Sequence, residues 1–122
     1  FAGGNEGRAV NLPRASYLGL SFVDLYRQTG DERYLAYAQH IAKISLRFQR
    51  PDGNFPYRVD AESGVATEGY APNAAEFALL VEALEPYGVE PRLQLAAQRA
   101  VQWLVAYVAN TNHWQAAFED IT

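Results

Sequence analysis

The chain has 122 residues, 49% of them hydrophobic and 13% aromatic, which is enough apolar material for one packed domain and too much for a disordered chain. A net charge of −4 argues against non-specific nucleic-acid binding, and the longest mostly apolar stretches, 17–26 and 77–84, are far too short to span a bilayer. With no cysteine there is no disulfide, thiolate metal site or cysteine nucleophile. The lack of methionine and the opening Phe1-Ala2-Gly3-Gly4 set the expectation of a processed product or, preferably, a fragment of something longer.

Residues 1–12 are rich in glycine and expected to be irregular. A first helix is predicted over 13–28, with Pro13 in its first turn and Tyr17, Leu18, Phe22, Leu25 and Tyr26 at helical spacing. Gly30 suits the left-handed position that stops this helix, and Asp31 suits the cap of the next. The second helix is predicted over 32–50, with Leu35, Ala38, Ala42 and Leu46 as its stripe, closed by the Pro51-Asp52-Gly53-Asn54 turn.

A polar connection over 51–71 follows, longer than most loops of compact domains. Phe55, Tyr57 and Val59 alternate before a turn near Glu62-Ser63-Gly64, which predicts a short β-hairpin within it. The third helix is expected to start near Asn73 as cap, with Glu76 completing a capping box, and to stop at Pro86-Tyr87-Gly88. The fourth starts with Pro91, carries Leu93, Ala96, Ala100, Leu104 and Tyr107, and ends at Asn110. The fold class is therefore all-α: two consecutive antiparallel helical hairpins, 13–50 and 72–110, separated by the 51–71 loop.

An offset of 58 residues aligns the two hairpins without gaps. Val23 then falls on Val81, Gly30 on Gly88, Leu35 on Leu93, Ala38 on Ala96, Ala42 on Ala100 and Leu46 on Leu104. Stacked repeats require this, because each hairpin must present the same surface to its neighbour. Periodicity alone also aligns amphipathic hairpins; the shared glycine stop and the Ala/Ala/Leu register favour a true repeat.

The stretch 29–57, TGDERYLAYAQHIAKISLRFQRPDGNFPY, resembles the hairpin unit of six-hairpin (α/α)-toroid proteins. Its Gly-Asp-x-x-Tyr-Leu opening, Ala-rich helix and Gln-Arg-Pro-Asp-Gly-x-Phe close recur in N-acylglucosamine 2-epimerase-like enzymes, unsaturated glucuronyl hydrolases and polysaccharide lyases. More distantly, they recur in terpene cyclases and prenyltransferases. The resemblance implies a slice of about a third of a toroid. It also implies a carbohydrate-active hydrolase, lyase or epimerase fragment. Different chemistries share this fold, so reaction and substrate stay open. In the isoprenoid enzymes the Gln-x-x-Asp-Gly-x-Phe signature, here at 49–55, is a structural staple.

If the first and third helices are the inner ones, segments 1–12, 51–71 and 110–122 share one face, where the sites of such proteins usually lie. Among its carboxylates Glu68 and Asp60 are the first choices for the pair that glycoside chemistry needs, about 5–10 Å apart. The plainer reading of both is a solvated loop carboxylate. His113, beside Trp114, is the preferred acid/base. Phe55, Tyr57, Tyr70 and Trp114 are read as stacking platforms for sugar rings, or as loop packing. Arg58 is read as a partner for a uronate carboxylate, or as a surface arginine.

Asp52 is assigned to turn geometry, and His40 to a helix surface. His40 and His113 have no metal-ligand spacing, and no phosphate-binding loop or Asp-rich motif is present, so no metal or cofactor is implied. The competing reading is a non-catalytic helical-repeat module that binds a glycan or protein partner, and a third, an isoprenoid cyclase or transferase, rests on the 49–55 signature. In all three cases the raw lateral faces of a slice predict self-association or a missing remainder of the toroid.

Overall fold

The computed structural model describes residues 9–56, 58–60, 62–63, 65–67 and 74–109. The chain is mostly helical and all-α in class. In chain order it forms strand β1 (Ala9–Asn11), helices α1 (Leu12–Thr29) and α2 (Glu32–Leu46), and strands β2 (Arg58–Asp60) and β3 (Ala66–Thr67). Helix α3 (Ala74–Leu84), a 3-10 turn (Glu85–Tyr87), helix α4 (Pro91–Trp103) and a π-helical turn (Leu104–Ala109) follow.

Local chemistry accounts for the helix limits. The Asn11 side chain accepts from the Arg14 N–H at 3.1 Å and so caps α1, with Pro13 in the first turn. Gly30, at φ 72°, closes α1 by donating its N–H to the Tyr26 carbonyl at 2.7 Å. Asp31 then caps α2 through the Arg33 N–H at 3.0 Å, so Gly30 and Asp31 form the whole link between the two helices.

Helix α2 stops at Leu46, short of the expected residue 50. Beyond it the N–H groups of Arg47, Phe48 and Gln49 each reach back only three residues, and Pro51 bars a return to helical bonding. Helix α3 gives way to the 3-10 turn, whose end Gly88 closes at φ 95°. The expected cap at Asn73 lies outside the described residues.

The opening segment departs from expectation. Residues 9–11 are not irregular: they pair antiparallel with β2, Val10 opposite Val59, and β2 pairs in turn with β3. Three short strands in the order β1-β2-β3 make one small sheet. A three-residue strand shows too little alternation to be read alone, and its partner lies far along the chain.

The core runs through Val23, Ala38, Ala42, Phe55, Val59, Phe77, Leu80, Leu84 and Ala100, all fully or almost fully buried. Helix α1 packs on α2 and α3 on α4, and α1 rests on α3 more extensively than α2 rests on α4. The repeat mates Val23/Val81, Ala38/Ala96 and Ala42/Ala100 are all buried. They part company at Gly19, whose mate is Phe77. A Cβ on Gly19 would lie 2.9 Å from the methyl carbons of Leu80, so the missing side chain lets α3 approach α1.

Between the two pairs, Arg27 donates from Nε to the Tyr87 hydroxyl at 3.2 Å, and Tyr26 meets the Tyr87 ring edge-on at 5.2 Å. No helix of the described residues is long and apolar enough to cross a membrane.

Candidate functional site

Connectivity places the sheet at one end of the helices. Asn11 is both the last residue of β1 and the cap of α1, and β2 follows the segment that leaves the C-terminal end of α2. The N-terminal segment and the long connection therefore meet where α1 begins. Phe55, its ring tilted against that of Phe77 of α3 with centroids 4.7 Å apart, ties the same region to the third helix.

In β2 Val59 is buried, while its neighbours Arg58 and Asp60 are half-buried on the opposite side of the strand. Asp60 builds the turn into β3. Its Oδ1 accepts the N–H groups of Glu62 at 2.8 Å and Ser63 at 3.1 Å, and its own N–H donates to the Val65 carbonyl at 3.0 Å. Ser63 Oγ accepts the Val65 N–H at 3.2 Å and completes the turn. This arrangement gives Asp60 a structural task whatever else it does.

Of the other expected site residues, Phe55 is a correction. It is only 2% exposed and packs in the core on Phe77, so its ring has no open face for a sugar. Alternation alone did not distinguish a ring facing inward from one facing outward. Tyr57, Glu68, Tyr70, His113 and Trp114 lie outside the described residues. The structure thus brings together Arg58 and Asp60 among the expected site residues. His40 is exposed on α2, and the described residues hold no group of three or more potential metal ligands.

The Gln49–Phe55 stretch is a clamp on α4. Gln49 Nε2 donates to the carbonyls of Ala96 at 2.9 Å and Gly53 at 3.1 Å. The turn is closed by Arg50 N–H to the Asn54 carbonyl at 2.7 Å, Gly53 N–H to the Arg50 carbonyl at 2.9 Å, and Asn54 N–H to Asp52 Oδ1 at 2.9 Å. Arg99 of α4 holds the turn from the other side, donating from Nη2 to the Pro51 carbonyl at 2.5 Å. Asp52 is a turn residue, as its Asp-Gly setting implies.

This clamp opens a cleft beside it, between Pro51-Asp52 and the end of α4, where Trp103 and Tyr107 stack. Sequence reasoning assigned Tyr107 to the apolar stripe and gave Arg99 and Trp103 no role. The signal available was their spacing, Arg99, Trp103 and Tyr107 at i, i+4 and i+8 on one side of a helix.

No protein family model, curated protein or solved structure matches this chain.

Proposed function

We propose that the chain is a curved slice of an (α/α) toroid that acts on an oligo- or polysaccharide, as hydrolase, lyase or epimerase, at the end where the sheet lies. The observation that carries this reading is the pairing of Ala9–Asn11 with Arg58–Asp60, which joins the segment entering α1 to the connection that leads on to α3. The fuller packing of α1 on α3 than of α2 on α4 supports a stack curved toward α1 and α3, the arrangement in which those two are inner helices.

In this reading Asp60 and Glu68 are the carboxylates and His113 is the acid/base. Tyr57, Tyr70 and Trp114 supply apolar faces, and Arg58 pairs with a uronate carboxylate. The test is a thermal-shift screen against neutral and uronate oligosaccharides, with a prenyl diphosphate as control. Ligand at one hundred times its dissociation constant adds about 2.7 kcal/mol to stability. A saccharide-specific rise is expected, followed by turnover that Glu68→Gln abolishes. A rise with the diphosphate alone sinks the proposal.

A second reading, a helical-repeat module that docks a protein partner, is favoured by a different surface. Between α3 and α4, on the side away from α1, runs a groove of about 1010 Å³ lined by Ala75, Leu79, Val81, Ala97 and Val101. Leu79 is 50% and Val101 46% exposed there, while Glu82 and Glu85 flank the groove. Stacked repeats leave this kind of apolar face at an uncapped end.

A further inference from the structure

The cleft beside the clamp has a volume of about 560 Å³, within the range of small-ligand sites. Its aromatic wall is the Trp103–Tyr107 pair, stacked with centroids 4.9 Å apart and planes 15° from parallel. The helix leaves α-geometry just after Trp103, in the π-helical turn Leu104–Ala109, and such wide turns are frequent at functional sites.

One turn before Trp103 stands Arg99. Its Nη2 donates to the carbonyls of Pro51 at 2.5 Å and Arg50 at 3.4 Å, which fix the guanidinium without neutralising it. Its Nε–H and Nη1–H groups have no acceptor among the described residues, and no carboxylate there forms an ion pair with it. Asp52 and Gln102 also line the cleft, and each offers an oxygen that can accept a hydroxyl hydrogen.

An aromatic wall, a guanidinium held by backbone carbonyls and without an ion pair among the described residues, and two hydroxyl acceptors define one ligand chemistry. We propose that this cleft binds a hydroxylated ring bearing a carboxylate, with the ring face on the Trp103–Tyr107 wall and the carboxylate on the open edge of Arg99. A uronic acid unit and a hydroxylated aromatic acid share that chemistry. The site is separate from Asp60 and the sheet residues, and it does not depend on the carbohydrate reading, since an aromatic acid satisfies it equally.

The experiment uses the Trp114→Phe chain, in which Trp103 is the remaining tryptophan of two. Its fluorescence is titrated with trigalacturonate, 4-hydroxybenzoate and a neutral trisaccharide in parallel. At least one acid is expected to give a saturable change, weakened by added salt, while the neutral sugar gives none. Arg99→Lys keeps the charge and loses the fork. Tyr107→Ala leaves the bonds from Arg99 to the turn in place. Each is expected to raise Kd about tenfold or more with circular dichroism unchanged.

A response to trigalacturonate alone identifies the sugar source, and one to 4-hydroxybenzoate alone the aromatic source; both support the site. No response to either acid, equal responses to acid and neutral sugar, or responses that survive both variants overturn it. If saccharides raise the melting temperature of the parent chain, with Trp114 in place, while Trp103 stays silent in the variant, this inference fails and the carbohydrate reading survives.

Discussion

Two glycines with positive φ separate two kinds of requirement. Gly30 (φ 72°) has open space around its missing Cβ, so Gly30→Ala meets only the conformational penalty, about 1–2 kcal/mol. Gly53 (φ 103°) lies against the Arg99 backbone, where a Cβ would clash with the carbonyl group. Gly53→Ala should therefore cost about 3 kcal/mol or more, conformational penalty and overpacking together. Urea denaturation of the two variants measures the difference, and equal losses would show that the clamp yields freely.

A charged residue gives a pH signature at the same scale. The side-chain hydrogen bonds from Arg33, then its backbone N–H, hold the Asp31 carboxyl below its ordinary range. A depressed carboxyl contributes stability that is present above its unfolded pKa and is lost as pH falls through the folded value. Asp31→Asn keeps a capping oxygen and removes that contribution. Its stability should fall less than that of the parent chain on acidification below the usual carboxylate range. Superimposable acid limbs would remove Asp31 as a contributor.

Among elements, the decisive joint is the clamp on α4. Gln49→Ala removes two hydrogen bonds to carbonyls and is expected to cost about 1–3 kcal/mol. Gln49→Glu should cost more at neutral pH, because it points a negative charge at two carbonyl oxygens. Partial recovery of Gln49→Glu in acid, read by thermal melts, separates charge repulsion from lost packing.

Most helix limits were legible because they depend on near neighbours: Pro13 in the first turn of α1, Gly30 as stop, Asp31 as cap, Pro91 as start. Of the expected Ala/Ala/Leu register, the alanines Ala38, Ala42, Ala96 and Ala100 are buried, while Leu46 and Leu104 are only partly so. Strand β1 was not legible, because Ala9–Asn11 is defined by a partner found only after α2. The candidate site was legible in outline only. Alternation singled out Phe55 but did not show that Phe77 covers it, and Arg99 gains meaning only once the Pro51 carbonyl is seen to hold it.

For the whole molecule, the asymmetry of its sides matters most. One side of the α3–α4 pair is covered by α1 and α2, while Leu79 and Val101 stay exposed in an acidic-edged groove. Sedimentation velocity is expected to show mass above the 13.6 kDa monomer as concentration rises. A Leu79→Glu/Val101→Glu double variant should suppress this without loss of helicity. A parent chain that stays monomeric throughout would leave the groove without a role in association.

The clamp also imposes an order in time. Gln49 and Arg50 emerge from the ribosome well before Ala96 and Arg99, the residues that receive and hold their turn. A nascent chain stalled within α3 carries the first helical pair and half of a fastening with nothing to fasten to. Synthesis of α4 is thus the event that locks the first pair to the second. Release of a chain lacking α4 should yield a first pair that protease cleaves at Pro51–Asn54, while the complete chain resists there.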